Sequence, residues 1–102
     1  MHRARDRVDY EPWLADLEAA CESLELSSEA RRCAAEIFLE DVPAADRSRR
    51  AALGASVYAG SLVAGEGRTQ GAVADATDVS RLAIQHHWKD RLEAAGLEAP
   101  SW

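Results

Sequence analysis

From Pro12 onward the apolar positions fall at helical spacing. Trp13, Leu14, Leu17, Cys21 and Leu24 recur at steps of three and four, which places them on one face of a helix. Pro12 suits the first turn, where its missing N–H would be unpaired in any case, so a helix is predicted over residues 12–24. Leu26-Ser27-Ser28-Glu29 then offers a serine cap and an early acid, ahead of a second stripe of Ala30, Cys33, Ala34, Ile37 and Phe38. That helix is expected to end near Asp41, before Pro43. A third helix, with Ser48 as its expected cap, carries Ala52, Leu53, Ala55, Ser56, Val57, Tyr58, Ala59 and Leu62 with hardly a polar position among them. A helix apolar on every side belongs at the centre of a domain. Gly54 and Gly60 within it each lower helix propensity by about 1 kcal/mol relative to alanine, a cost that close approach of neighbouring helices would offset.

Gly65-Glu66-Gly67 breaks the pattern into a turn. A short fourth helix capped by Thr69, a tight turn at Thr77-Asp78 and a last helix capped by Ser80 and running to about Ala95 complete the chain before Gly96. Nothing alternates with period two, so the expected class is all-α with five helices and no strands. The first eleven residues mix charges without an apolar face and read as a loose arm. The expected organisation is an arm over 1–11, one helical domain over 12–96 and a tail over 97–102.

Composition agrees with a single domain, since 102 residues suffice for one core. Alanine contributes 21 residues and arginine 11 of the 12 basic ones, a bias that suits closely packed helices. No run of about 18 apolar residues occurs, and Met1 to Arg7 lacks the apolar stretch of a signal peptide. The chain is therefore expected to be soluble and cytoplasmic, with no membrane partner. Its net charge of −6 is unevenly spread: residues 1–46 carry −7, while residues 47–92 carry +3. The two parts should face different partners. A nearly lysine-free, acid-rich surface suits a high-salt cytoplasm, although a GC-rich genome alone would favour the same residues. Cys21 and Cys33 form no Cys-x-x-Cys pair, so no zinc ribbon is expected; both are read as buried core thiols on inward faces of adjacent helices.

The candidate chemistry lies between Gln70 and Trp88, which fits a helix-turn-helix over residues 69–95. Ala74 is small where two helices must cross, and Val73 and Val79 pack the turn. Asp78 stands where glycine is usual and is among the few other residues that tolerate a left-handed backbone. Ile84, Trp88 and Leu92 face the core, leaving Arg81, Leu82, Gln85, His86 and Lys89 on the open face. Gln85 suits a bidentate pairing with adenine, Leu82 a thymine methyl, and Arg81, Lys89 and Arg68 the phosphates. The plain alternative is a solvated amphipathic helix.

Ser48 to Leu53, Ala55-Ser56-Val57-Tyr58-Ala59, Arg68-Thr69-Gln70, Val73-Ala74, Val79-Ser80, Ile84 and Trp88-Lys89-Asp90 resemble the cyclin-like repeat of archaeal transcription factor B and eukaryotic transcription factor IIB. The likeness is greatest to the second, C-terminal repeat. It implies a five-helix cyclin-like fold with a buried third helix, and a DNA-proximal role in transcription through Arg68, Thr69, Gln70, Arg81, Leu82, Gln85, His86 and Lys89. Departures from the family pattern include Gln85 for a base-contacting arginine, His86-His87-Trp88 for Asn-Arg-Tyr, Arg49 for a proline, and Asp78 for the turn glycine.

One repeat without a second and without a zinc ribbon implies a small transcription regulator binding double-stranded promoter DNA, with a homodimer or helper protein to strengthen a small interface. The alternative is a protein-interaction module binding TATA-binding protein, RNA polymerase or another regulator without reading DNA. An enzyme is not expected, nor a cofactor or metal. His86 and His87 point about 100° apart on a helix and cannot share an ion, and Ser56, Ser61 and Cys33 lie in apolar stripes without a nearby base. Trp13 and Trp88 are expected core anchors, and Trp102 lies at the chain end.

Overall fold

The computed structural model describes residues 9–97. The first eight residues of the expected arm, and the tail beyond Leu97 with Trp102, lie outside the described residues. Five helices follow in order: α1 Glu11–Ser23, α2 Ser28–Glu40, α3 Asp46–Val63, α4 Gln70–Thr77 and α5 Arg81–Ala94. The architecture is all-α, with no strand among the described residues, and it matches the pattern of apolar positions closely.

α3 runs through the centre. Nine of its residues, from Ala52 to Ser61, are buried, and it packs against all four other helices, most extensively against α2 and α5. Its two glycines sit where neighbours come closest. A Cβ on Gly60 would lie 2.7 Å from the Ala34 nitrogen and 2.8 Å from its Cα, so α2 and α3 touch backbone to backbone. A Cβ on Gly54 would meet Thr77 Oγ1 and Val79 Cγ2 at 3.0 Å each, at the end of α4 and the turn after it. One helix thus uses two missing side chains to bring in two different neighbours.

Three serine and threonine caps form as expected. Ser27, Thr69 and Ser80 accept from the backbone N–H groups of Ala30, Ala72 and Ala83 at 3.2, 3.0 and 3.1 Å. Ser48 does not cap α3. That helix begins two residues earlier at Asp46, with Ala45 as an N-cap that offers no side-chain bond. The Arg49 side chain folds back to the carbonyls of Pro43 and Ala44 at 2.8 and 3.2 Å, which fixes the entering chain ahead of Ser48. Helix α1 starts at Glu11, one residue before the expected boundary, so the last residue of the expected arm is helical.

Two residues expected in the core lie at its edge. Trp13 is half-buried and lies against two cations, with the guanidinium carbons of Arg49 and Arg50 5.4 and 4.9 Å from its ring centroid. It occupies the first turns of α1, before the buried row of Leu17, Ala20 and Cys21. Cys33 is also half-buried, because α2 meets α3 through Ala34 and turns Ala30, Ala35, Ile37, Phe38 and Leu39 inward instead. Cys21 is fully buried as expected, and both thiols are free. Trp88, 5% exposed, is the aromatic anchor, meeting Tyr58 edge to face at 5.4 Å.

Gly60→Ala should lower stability by about 1 to 3 kcal/mol, because the added methyl meets backbone that cannot rotate away and this outweighs the propensity gain. Gly54→Ala should be milder, since side chains there can yield. Urea titrations of both variants check this; equal stability for the two would contradict the backbone contact at Ala34. Burial, with a smaller contribution from Glu18, pushes the Cys21 thiol up to about 11, so the native protein should react with iodoacetamide at Cys33 well before Cys21. Peptide mapping of the alkylated protein reads the order.

Candidate nucleic-acid interface

Helices α4 and α5 cross through a short turn built on Asp78, whose φ of 58° and ψ of 43° lie in the left-handed region. The Val79 N–H closes the turn onto the Ala74 carbonyl at 3.2 Å. Ile84 and Leu92 are fully buried with Trp88 beside them, and this row fixes the rotation of α5. Arg81, Leu82, Gln85, His86 and Lys89 are consequently all exposed. Among the described residues Leu82, at 63%, is the most exposed of the large apolar side chains.

The candidate residues divide into two groups. Gln70 Nε2 donates to Gln85 Oε1 at 2.5 Å, so the first residue of α4 orients the amide on α5. The Arg81 Cδ lies 3.8 Å from where a Cβ on Gly71 would stand, which runs the arginine stem along the start of α4. Gln70, Arg81, Leu82 and Gln85 line one shallow depression. The Lys89 Nζ sits 5.5 Å from the Trp88 ring centroid, and His86 lies on the same open side. Arg68 and Thr69 are held otherwise: Thr69 accepts the capping bond at the start of α4, and Arg68 reaches across to the end of α1. The Arg68 guanidinium donates to the carbonyls of Leu24, Glu66 and Glu25 at 2.9, 2.6 and 3.3 Å, which favours a structural role over the phosphate contact expected of it.

The loop that precedes α4 therefore acts as a clasp on the α1–α2 corner. Glu66 accepts from the Ser27 N–H at 2.9 Å and from the Ser27 hydroxyl, so a carboxylate from a distant loop completes the cap of α2. The corner turns at Glu25, whose φ is 56°. At the other end of α2, Arg91 donates to the carbonyls of Ile37, Phe38 and Asp41 at 3.1, 2.9 and 2.5 Å and ties α5 to that terminus. Burial lowers the Arg91 pKa from its ordinary value. None of these three roles carries a local sequence signal: Glu66, Arg68 and Arg91 find partners about forty to fifty residues away.

Residues 14–94 match the family model of the transcription factor TFIIB repeat. The chain belongs to the TFIIB repeat family. Over 80 residues it is 32% identical to transcription initiation factor IIB 7 of Halobacterium salinarum, an alignment covering 76% of this chain and 25% of that protein. The chain thus spans about a quarter of the length of the curated relative it matches. The five helices with a buried third one are the cyclin-like fold of the TFIIB repeat. The similarity to a haloarchaeal factor accords with the acidic, lysine-poor composition, and no helix among the described residues is long and apolar enough to cross a membrane.

The hydrogen bonds from Ser27 hold the Glu66 carboxyl below its ordinary pKa of 4.5. A carboxylate whose folded value is depressed adds stability that is complete above its unfolded value and disappears as pH falls through the folded one. Glu66→Gln should therefore lower the melting temperature near neutrality, and the gap to wild type should close as the pH drops below about 4.5. Thermal melts across that range check it; a gap independent of pH would contradict the role of the charged carboxylate.

Proposed function

We propose that this TFIIB repeat is a DNA-binding transcription regulator rather than an enzyme, and that the N-terminal half of α5 enters the major groove of double-stranded promoter DNA. The observation that carries the reading is the Gln70–Gln85 hydrogen bond. It holds an exposed amide in one orientation, leaving its NH2 group and the second lone pair of its oxygen for the N7 and N6 edge of adenine. Leu82, one turn earlier, meets a thymine methyl, while Arg81, Lys89 and His86 face the backbone. A single module of this size buries roughly 600 to 1,000 Å² on DNA, so a homodimer, TATA-binding protein or RNA polymerase strengthens the complex.

A second reading rests on a different surface. Cys33, Ile37, Val63, Ala95 and Leu97 line a groove between α2 and the ends of α3 and α5, where Val63 and Leu97 are 37% and 38% exposed. It suits a protein partner, in which case the α4–α5 pair serves only to complete the fold.

Anisotropy of labelled promoter duplexes across salt separates the two readings. DNA contact through α5 predicts that Arg81→Ala and Lys89→Ala each weaken binding to all sequences and flatten the logarithmic salt slope by about one unit. Gln85→Arg should keep the fold and move the preference from adenine toward guanine at one base pair, by about 1 to 3 kcal/mol, in selection from a random pool. Gln70→Ala should blunt the adenine preference without touching the salt slope. A protein that binds no duplex at low salt would leave the interaction module as the better account.

A further inference from the structure

We propose that the groove between α2 and the ends of α3 and α5 is the seat of this chain's own tail, residues 98–102, and that the indole of Trp102 fills it. The walls call for an apolar occupant. Cys33 and Ile37 form one side, from α2, and Val63, Ala95 and Leu97 form the other. Among the described residues the large apolar side chains left exposed are Val63, Leu82 and Leu97, and two of these three meet here. The groove holds about 280 Å3, just below the roughly 300 to 1,000 Å3 of small-molecule pockets, which is room for one large side chain.

The end of α5 directs the chain toward this groove. Gly96 takes a φ of 76°, its N–H donates to the Glu93 carbonyl, and the Leu97 N–H donates to the Leu92 carbonyl, both at 2.9 Å. This pair of bonds closes the helix and fixes the direction in which the chain leaves it. Leu97, the last described residue, is thereby itself part of the wall. In the residues that follow, Pro100 lacks an N–H and disfavours a helical Ala99, so the sequence favours an extended course. Five extended residues reach about 16 to 18 Å. The α2 wall from Arg32 to Glu40 is about 12 Å long at 1.5 Å per residue, so Trp102 has the reach to any point along it.

Trp102 is the large apolar side chain of the tail, whose other residues are Glu98, Ala99, Pro100 and Ser101. Its ring suits the apolar walls, and its N–H needs an acceptor once buried. Glu36 and Glu40 line the groove one turn apart on α2, and a carboxylate accepts several donors at once. The N-terminal arm is a poorer occupant. Tyr10 lies against Arg49, whose guanidinium carbon is 5.2 Å from its ring centroid, near the start of α3. Val63 stands at the other end of that helix, about 21 Å further along. Residues 1–8 also carry Arg3, Arg5, Asp6 and Arg7 and no aromatic ring. The seat does not depend on contact between α5 and DNA, and a protein partner at this groove has to displace the tail.

NMR of the full chain, with Cys33 as a chemical reporter in the groove, tests the seat. Nuclear Overhauser contacts are expected between the Trp102 indole protons and the methyl groups of Ile37, Val63 and Leu97. Trp102→Ala should raise the rate at which iodoacetamide alkylates Cys33 about fivefold, because the tail no longer closes over it. Cys21 should stay slow in the same sample, which shows that the variant remains folded. Trp102→Phe keeps an apolar ring and should restore most of the protection. Absence of the Overhauser contacts, or an unchanged Cys33 rate in Trp102→Ala, overturns the assignment. Contacts to the groove from residues 1–8 instead of Trp102 overturn it in favour of the arm. Contacts between differently labelled copies, with Cys33 protection that grows with protein concentration, overturn it in favour of a second copy of the chain.

Discussion

The burial of α3 on every side is the constraint from which the rest of this domain follows. A helix can be enclosed by four others in a chain of this size only where side chains give way, and Gly60 and Gly54 provide the two places. At Gly60 the α2 backbone comes into van der Waals range of α3. At Gly54 the end of α4 and the turn after it do the same. The second contact links core to surface: it seats Thr77 and Val79, Asp78 takes the left-handed conformation between them, and α5 leaves the turn with Ile84, Trp88 and Leu92 directed inward. The exposed row on α5 is the geometric remainder of that packing.

Helix termini are the second problem of such a bundle, because four N–H groups and four carbonyls per helix lack intrahelical partners. Local serines and threonines serve the N-termini of α2, α4 and α5. The C-termini of α1 and α2 are served from far along the chain, by Arg68 and Arg91. Arginine suits this because its planar fork reaches several carbonyls at once and stays charged when partly buried. Part of the basic character of residues 47–92 is therefore internal wiring. The charge left for a partner is correspondingly more local: Arg81 and Lys89 on α5.

Features that depend on near neighbours along the chain are legible in the sequence. The boundaries of α4 and α5, the caps at Ser27, Thr69 and Ser80, the left-handed Asp78 and the close approaches at Gly54 and Gly60 all follow from residue type and spacing. Ser48 misleads because it is a good cap placed two residues inside a helix whose start is set by Arg49 folding back on Pro43 and Ala44. Cys33 and Trp13 have apolar spacing yet lie at the rim, since periodicity locates a face but not how far the neighbouring helix covers it. Glu66, Arg68 and Arg91 are opaque in sequence because a charged residue near a turn looks the same whether it meets water or a carbonyl of another helix. Gln70 and Gln85 are each legible as surface residues, but their pairing depends on the crossing of α4 and α5.

Contact between DNA and the open face of α5 is the central claim. The most direct test places a photo-cross-linking amino acid at position 82, the most exposed apolar site on that face, and a second one at position 29 on the acidic first turn of α2, each irradiated with promoter duplex and with cell extract. A covalent protein–DNA adduct is predicted from position 82 and none from position 29. Adducts to protein alone from both positions, with no DNA captured at 82, would contradict the claim.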